Sequence, residues 1–472
     1  MKHGALILGA LLLAGCAHFH SEPLSADKTA AQLEARRLDD PGLKKFLEKN
    51  LGHLISGWPR TNWNFKELTL AAFYYHPDLA VARDQWRVAY AGVKTAAARP
   101  NPTVSFDPSY DTQIPDNFSP WLLPITFDIP IETAGKRSKR IAEAEKAAES
   151  ARYSFIKAAW QTRSGVRSSL QDFAAADQRA SLLRQQLDAQ EQNVKLLRQR
   201  AEEGEISHVD LTTAEIALHQ SQISLSDALS ARADARSHLA QALGLPEIAL
   251  DGKNLLPDDS TPDMVRLTST DARNIALRSR ADVLGALADY AAAEDDLRLQ
   301  IAKQYPDLHV GPGYAWNNGN AGDNQWILGL SLELPILDQN EGPIAEAEAN
   351  RKLSADKFIA LQAQIIAEID RAIAGLQVAR EQSHTGDELF ASQQQQEQSV
   401  ERQLQAGAAD QVDLLGAKIA LGSAQLAQLD NETKMKNAVA ALEDALQQPA
   451  DSISTVIEKL SAADPNPTES RR

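Results

Sequence analysis

The sequence predicts a mainly helical, internally duplicated protein with long α-helical hairpins and four β-strands per chain. A turn that reads RQRAEEGEISHVDL at 198–211 returns as ERQLQAGAADQVDL at 401–414. Two other regions also align at a shift of about 204 residues, which indicates a tandem duplication. The apolar residues make up 43% of the chain but only 6% is aromatic, so most of them are small. Small apolar residues suit long helices that pack closely.

The charge of the chain restricts the choice of partners. The formal charge is −16, from 48 Lys and Arg against 64 Asp and Glu. This disfavours nucleic acid as a partner and is compatible with cationic cargo. We find no serine triad, phosphate loop or His/Cys cluster in the sequence, and we therefore expect no enzyme, no cofactor and no metal site.

The first residues predict export. The apolar run Ala5–Ala14 is too short to span a bilayer and suits the core of a signal peptide. It ends in LAGC at Cys16, which is the only cysteine. This tetrad resembles the lipobox of bacterial lipoproteins, which implies a signal peptide at 1–15, acylation of Cys16 and a lipid-anchored tether at 16–60. The residue after the cysteine is not Asp, which implies sorting to the outer membrane. A plain secretory signal is the alternative.

The two copies share one order of segments. HPDLAVAR at 76–83 aligns with RADVLGAL at 280–287, and WLLPITFDIPI at 121–131 aligns with WILGLSLELPI at 326–336. The predicted segments are repeat 1 at 61–245, a linker at 246–268, repeat 2 at 269–448 and a disordered tail at 449–472.

Helical periodicity predicts three helices in each copy. One precedes the strands and ends where proline forbids continuation, a long one follows the strands, and a shorter one returns after the repeated turn. In repeat 1 these helices are predicted at 66–99, 138–203 and 207–244. In repeat 2 they are predicted at 271–303, 343–406 and 410–447.

Two alternating runs per copy predict β-strands, and each run is about ten residues long, the length of a bilayer-crossing strand. Aromatic residues flank the loops at 112–120 and 317–324, which predicts a girdle at one membrane interface. These aromatic residues are Tyr110, Trp121, Trp316 and Trp326. For any single run, an amphipathic strand on a soluble core is the alternative.

The polar face of these strands carries Asp107, Asp128 and Glu333, which we assign to the lumen of a barrel. Pro108 and Pro312 align between the copies, so we expect bulges at both positions. Four strands cannot close a barrel, and an open sheet would leave backbone groups unpaired in lipid. The sequence therefore requires an oligomer, and three chains would supply twelve strands.

The repeated turn predicts the tip of a tight helical hairpin. Gly204 and Gly407 are expected to adopt the left-handed conformation that ends a helix. Ser207 with Asp210, and Asp410 with Asp413, have the spacing of a capping box. By local chemistry alone, the turn is a structural feature.

The chain resembles the TolC-like outer membrane efflux proteins over about residues 60 to 448. The resemblance rests on the duplicated plan, on the strand ends FDIPIETAGKR (127–137) and LELPILDQNEG (332–342), and on the two G-x5-DL tips. It is greatest to the CzcC-like members associated with heavy-metal efflux. It implies a homotrimer whose 12-stranded barrel lies in outer membrane lipid and continues into a periplasmic α-barrel. It also implies two partners, a periplasmic adaptor (membrane fusion protein) and an inner-membrane RND-type pump.

The resemblance places both tips at the periplasmic end, in contact with the adaptor, and Asp413 could form an acidic gate by threefold symmetry. The implied tip residues are Gly204, Val209, Asp210, Leu211, Gly407, Val412, Asp413 and Leu414.

The predicted function is a passive duct that exports small solutes, with heavy-metal cations as candidate cargo. A duct for type I protein secretion is the alternative, and a periplasmic adaptor is less favoured because the chain has two hairpins. His208, alone at the first tip, is not expected to bind a metal.

Overall fold

The computed structural model describes residues 19–113, 120–257, 268–317, 324–448 and 453–462. Its helices are α1 (Ala26–Glu34), α2 (Pro41–Leu51), α3 (Phe65–Tyr75), α4 (Pro77–Ala96), α5 (Lys136–Glu202), α6 (His208–Leu243), α7 (Ser269–Ser279), α8 (Ala281–Ala302), α9 (Glu341–Gln405), α10 (Gln411–Leu446) and α11 (Ile453–Ala462). Its strands are β1 (Asn62–Asn64), β2 (Thr103–Phe106), β3 (Ser109–Tyr110), β4 (Trp121–Ile131), β5 (Asn254–Leu256), β6 (Leu308–Asn317) and β7 (Gln325–Leu332). Within these ranges, no helix combines the length and apolar character needed to cross a membrane.

Two long hairpins dominate the fold, as the sequence predicts. Helix α5 has 67 residues and α9 has 65, so each extends about 100 Å at 1.5 Å per residue. Both are rich in Ala, Leu, Gln, Glu and Arg, which are strong helix formers. Helix α6 returns along the tip half of α5, where Leu225 and Ala228 pack with Ala180 and Leu183. Helix α8 lies against the other half, with Gly285 beside Tyr153.

A seam between α5 and α10 joins the two repeats. Arg163 donates to Glu443 at 2.7 Å, Arg167 also contacts this carboxylate, and all three side chains are buried. The guanidinium of Arg163 lies 5.1 Å from the ring centre of Phe65, and that of Arg167 lies 4.8 Å from it. Burial raises the pKa of the neighbouring Asp444, against the opposing effects of its hydrogen bond with Ser164 and of the two arginines.

The helices predicted over 66–99 and 271–303 are each interrupted, so the expectation of one continuous helix is wrong in both repeats. The first break lies at His76, with φ −67 and ψ 124, because the residue before Pro77 is disfavoured in the α conformation. Arg280 has a similar conformation, φ −63 and ψ 134, without a following proline. Its guanidinium donates to Asp282 (2.7 Å) and to the Ala445 carbonyl (2.8 Å), and these contacts hold the break.

The larger sheet combines strands of both repeats. Its order is β2-β4-β6-β7, with β3 also paired to β4, and all described pairs are antiparallel. The central pair, β4 with β6, joins the second strand of repeat 1 to the first strand of repeat 2. Thr126 lies opposite Gly313, where a Cβ atom would come within 2.8 Å of the Thr126 side chain, so only glycine fits. Strands β1 and β5 form a separate parallel pair.

Neither of the aligned prolines forms a bulge, so that expectation is wrong. Pro108 separates β2 from β3, and the register against β4 is the same on both sides of it. Pro312 stays in register with Leu328 of β7. Each proline lacks an N–H group and so removes a hydrogen bond, but no extra residue is inserted. Strand β7 also ends at Leu332, before Glu333.

The two ends of the described chain are more ordered than the sequence suggests. The segment predicted as a tether contains α1 and α2, and the side chains of Leu43 and Leu47 are fully buried in the core. Arg36 donates to the carbonyls of Tyr75 (2.7 Å) and Gly244 (2.9 Å), which caps two helix ends. Helix α11 packs on α5, with Ile457 buried, so the prediction of disorder is wrong for Ile453–Ala462.

The seam gives a stability prediction. Glu443→Ala is expected to lower the free energy of unfolding by roughly 3–5 kcal/mol, because two buried guanidinium groups lose the carboxylate that contacts both of them. Asp430→Asn is the matched control, since it removes the exposed 2.6 Å pair with Arg179 on the same two helices and should cost less than about 1 kcal/mol. Thermal or denaturant unfolding of the detergent-extracted protein measures both. Equal losses of unfolding free energy in the two variants would contradict the claim that burial makes the contacts of Glu443 important for stability.

Candidate functional site

Both hairpin tips close in the same way. Gly204 and Gly407 have φ values of +78 and +75, in the left-handed region that glycine adopts without strain. At the first tip, the N–H of Glu205 donates to the Arg200 carbonyl at 2.8 Å and that of Gly204 donates to Ala201 at 3.1 Å. Equivalent bonds of 2.8 and 3.0 Å close the second tip. These are Schellman motifs, so both predicted helix ends are confirmed.

The helices that return from the tips are capped differently. In α10 the capping box is complete, because Asp410 accepts from the N–H of Asp413 (2.9 Å) and Asp413 accepts from the N–H of Asp410 (2.9 Å). In α6, Ser207 accepts from the N–H of Asp210 (3.1 Å), and the Asp210 carboxylate accepts the Ser207 hydroxyl (2.8 Å). This second bond runs between two side chains and not to the Ser207 N–H, so the first tip lacks the complete capping box that its spacing predicts.

An ion pair joins the two tips. Arg200, at the end of α5, lies 2.8 Å from the Asp410 carboxylate at the start of α10. The hydrogen bond from the Asp413 N–H, with Arg200 and the Val412 N–H, holds the pKa of Asp410 below its usual value. This pair did not emerge from the sequence, since it joins positions more than 200 residues apart.

The predicted tip residues differ in exposure. Leu414 is buried, Leu211 and Val412 are half-buried, and Val209 is 73% exposed. Asp210 and Asp413 are both exposed at the surface of the tips. The first tip therefore exposes the apolar side chain of Val209, whereas the equivalent side chain of the second tip, Val412, is half-buried.

The ETAGKR stretch connects the sheet to the helices. Lys136 lies 2.7 Å from the Asp307 carboxylate, and the Thr133 hydroxyl donates to the Pro306 carbonyl at 2.6 Å. Arg137 and Arg140 donate to backbone carbonyls at the end of α4. The stretch thus anchors the sheet to the ends of two helices.

The larger sheet has one apolar face, which is exposed. Its exposed side chains are Val104, Phe106, Phe127, Ile129, Ile131, Leu328, Leu330 and Leu332. Aromatic residues cluster at the end that carries the strand connections, where the rings of Tyr110 and Trp121 lie 5.0 Å apart and those of Tyr314 and Trp326 lie 4.9 Å apart. An extended exposed apolar surface indicates an interaction site.

The opposite face of the sheet is polar. Asp128 lies on it opposite Thr103 of β2, and Asp107 follows on the same face in the gap between β2 and β3. Glu333 is exposed just beyond the end of β7. The structure also adds His309, whose Nδ1 lies 3.0 Å from each oxygen of Asp128.

Several predictions fall on other parts of the chain. Cys16, the signal peptide and most of both connecting loops lie outside the described residues. Among the described residues, no three His, Cys, Asp or Glu side chains form a group that could hold a metal ion.

The family model of the outer membrane efflux proteins matches residues 72–245 and 272–447. The chain belongs to the outer membrane efflux protein family. Members of this family are outer membrane channels that extend into the periplasm, and they are not enzymes. The two matched ranges correspond to the two repeats.

One curated relative is the cobalt-zinc-cadmium resistance protein CzcC of Cupriavidus metallidurans, which is 27% identical over 263 residues. That alignment covers 55% of this chain and 60% of the relative.

Two solved structures show the same fold. The outer membrane protein VceC from Vibrio cholerae has a TM-score of 0.67 at 17% identity, over 82% of this efflux protein and 97% of VceC. The CmeC outer membrane channel of Campylobacter jejuni also gives 0.67, at 14% identity, over 95% of this chain and 98% of CmeC.

Proposed function

We propose that three copies of the chain form a passive duct that exports small solutes, including heavy-metal cations, across the outer membrane. The duct would receive them from a periplasmic adaptor and an inner-membrane RND-type pump. The proposal of a trimer rests on the contact between the two repeats. Each chain makes this contact once internally, and the duplication would allow it to make an equivalent contact with another copy.

The sheet supports this closure. Inside the chain, the second strand of repeat 1 (β4) pairs with the first strand of repeat 2 (β6). The duplication relates β7 of repeat 2 to β4 of repeat 1, and it relates β6 of repeat 2 to β2 and β3 of repeat 1. Pairing β7 with β2 and β3 of another copy would reproduce the internal contact and leave no open edge in lipid.

The helical part supports it in the same way. In repeat 2, Val412 and Leu426 of α10 are half-buried, and Leu426 packs on the α5–α6 cluster. The equivalent residues of α6 are exposed at 73% for Val209 and 54% for Ile223, and Ile216 between them is exposed at 64%. The described part of α6 has no comparable contact with α9. We call Val209, Ile216 and Ile223 the exposed stripe of α6 and infer that α9 of the next copy covers it.

The cargo is inferred from the polar face and from the relative. Asp107, Asp128 and Glu333 would line the lumen in three copies each, and the described strands of the larger sheet contain no Lys or Arg. A lumen of this charge favours cations over anions. The relative CzcC is a cobalt-zinc-cadmium resistance protein, which makes divalent metals the first cargo to test.

The tips are proposed to face the adaptor, with Asp413 as a gate residue. Gly204 and Gly407 would set the turns, and the exposed Val209 and Asp210 would supply contact surface. The Asp413 side chain also holds the capping box, so gating and capping are separate roles of one carboxylate. Acylation of Cys16 stays a prediction that would add a lipid anchor.

The substitution Asp413→Asn separates these two roles. It keeps an oxygen that can accept from the Asp410 N–H but removes the charge. We expect a higher leak conductance or a lower cation preference in planar bilayers, with little change in the thermal unfolding midpoint.

Asp210→Asn is the matched control at the other tip and should leave both pore properties unchanged. If Asp413→Asn conducts like the wild type, the gate role is wrong. Asp413→Ala removes the cap as well, so only that variant should lose stability, by about 0.5–2 kcal/mol.

A deletion strain tests the cargo. Loss of the protein should reduce tolerance to zinc, cobalt or cadmium, and expression of the wild-type chain should restore it. Unchanged tolerance to all of these metals would contradict the metal proposal. If a secreted protein were instead missing from the medium, protein secretion would become the better assignment.

A further inference from the structure

His309 and Asp128 lie side by side on the polar face of the sheet, so that an imidazole and a carboxylate, two side-chain types that bind metal ions, are in contact. The Nδ1 atom of His309 lies 3.0 Å from both Asp128 oxygens. His309 is paired across the strands with Pro130, so Asp128 is its diagonal neighbour on the same face. The two side chains are 37% and 48% exposed, and solvent therefore reaches both.

Small and hydroxylated residues surround the pair. Gly311 and Gly329 lie opposite each other on β6 and β7, which leaves space above the strands next to Asp128. Ser331 is the partner of His309 on β7, and Thr103 is the partner of Asp128 on β2. Their hydroxyl groups can hold water molecules that complete a coordination shell.

We propose that His309 and Asp128 form a weak binding site for late first-row divalent cations such as Zn²⁺, Co²⁺, Ni²⁺ and Cu²⁺. The inference rests on the proposed function, because it takes the polar face as the wall of the duct. An imidazole nitrogen and a carboxylate oxygen are ordinary ligands of these ions. Two ligands at about 2.0–2.1 Å from a tetrahedral ion lie roughly 3.3 Å apart, close to the 3.0 Å observed here. A small rotation of the side chains admits the ion.

The number of ligands suits a transport pathway. Two protein ligands, with water in the other positions, bind an ion without retaining it, and conduction requires that ions leave as readily as they enter. Three copies of the chain would place three such sites around the lumen. The imidazole also discriminates against Mg²⁺ and Ca²⁺, which prefer oxygen ligands alone. The pair is thus a specificity element as well as a binding site.

Zinc titration of the detergent-extracted protein, purified without a polyhistidine tag, tests the proposal by calorimetry. His309→Gln keeps an amide that can donate to Asp128 but removes the imidazole, and Asp128→Asn removes the anionic ligand. Each should weaken Zn²⁺ binding at this site by at least about tenfold. Excess Mg²⁺ should not displace the Zn²⁺.

His384→Gln is the matched control. His384 lies 3.6 Å from Glu388 on the exposed surface of α9. The substitution therefore removes a different His–carboxylate pair, which lies outside the sheet. The site that is lost in His309→Gln should remain in His384→Gln. With Cu²⁺ as the probe, electron paramagnetic resonance should show nitrogen coupling that disappears in His309→Gln.

Two results would overturn the site. One is an unchanged Zn²⁺ affinity in His309→Gln, and the other is displacement of Zn²⁺ by Mg²⁺ as expected for simple charge attraction. The metal-tolerance experiment is independent of both. If the wild type restores tolerance but His309→Gln binds Zn²⁺ normally, only this inference fails. If the site binds as described but tolerance never depends on the protein, the cargo proposal fails and the site stands.

Discussion

The structure depends on the seam between α5 and α10. The buried arginines and Glu443 fix one end of this seam, beside the core of repeat 1. Three further pairs follow it toward the tips, where the two helices run antiparallel. They are Arg179 with Asp430, Gln186 with Ser423, and Arg200 with Asp410. This continuous contact packs the α9–α10 hairpin against the α5–α6 hairpin. It thereby brings both tips to one end of the structure and the strands of the larger sheet to the other.

The seam inside the chain is held by ion pairs, and the repeat does not supply both partners of these pairs for a second seam. Arg200 and Asp410 correspond to Gln403 and Ser207, and the position of Glu443 is taken by an alanine. The exposed stripe on α6 is apolar instead. Because an unpaired buried charge is costly, the ion pairs favour contact between α5 and α10 over other contacts between the two hairpins. The apolar stripe is then left for another copy. In the proposed trimer, the difference between the two seams would give the repeats of each chain a defined order.

Local sequence patterns predicted the elements but not all of the contacts between them. Periodicity and the repeated glycines were sufficient for the long helices, the strands and the tips, since these depend on neighbouring residues. The break at Arg280 was missed because it is held by contacts with Asp282 and Ala445, not by a proline. The pairs Arg200–Asp410 and His309–Asp128 were missed because each joins one repeat to the other. The predicted tail contains an ordered helix because its apolar residues have a place on α5, which only the tertiary structure shows.

The central claim is that the contact between repeats recurs between chains, and a disulfide tests it most directly. Transferring the pair Thr126 and Gly313 through the duplication places Ser331 opposite Ser109 of the next copy, and both lie on polar-face positions. Opposite residues of antiparallel strands are about 4.5–5.5 Å apart between Cα atoms, which a disulfide can span. Within one chain, three strand spacings and an offset of eight residues along the strands separate the two residues by about 30 Å. The oxidised double variant Ser109→Cys, Ser331→Cys should therefore give covalent species of two and three chains on a non-reducing gel, and neither single variant should. A double variant that stays at the mass of one chain, or a ladder that continues past three, would contradict the account.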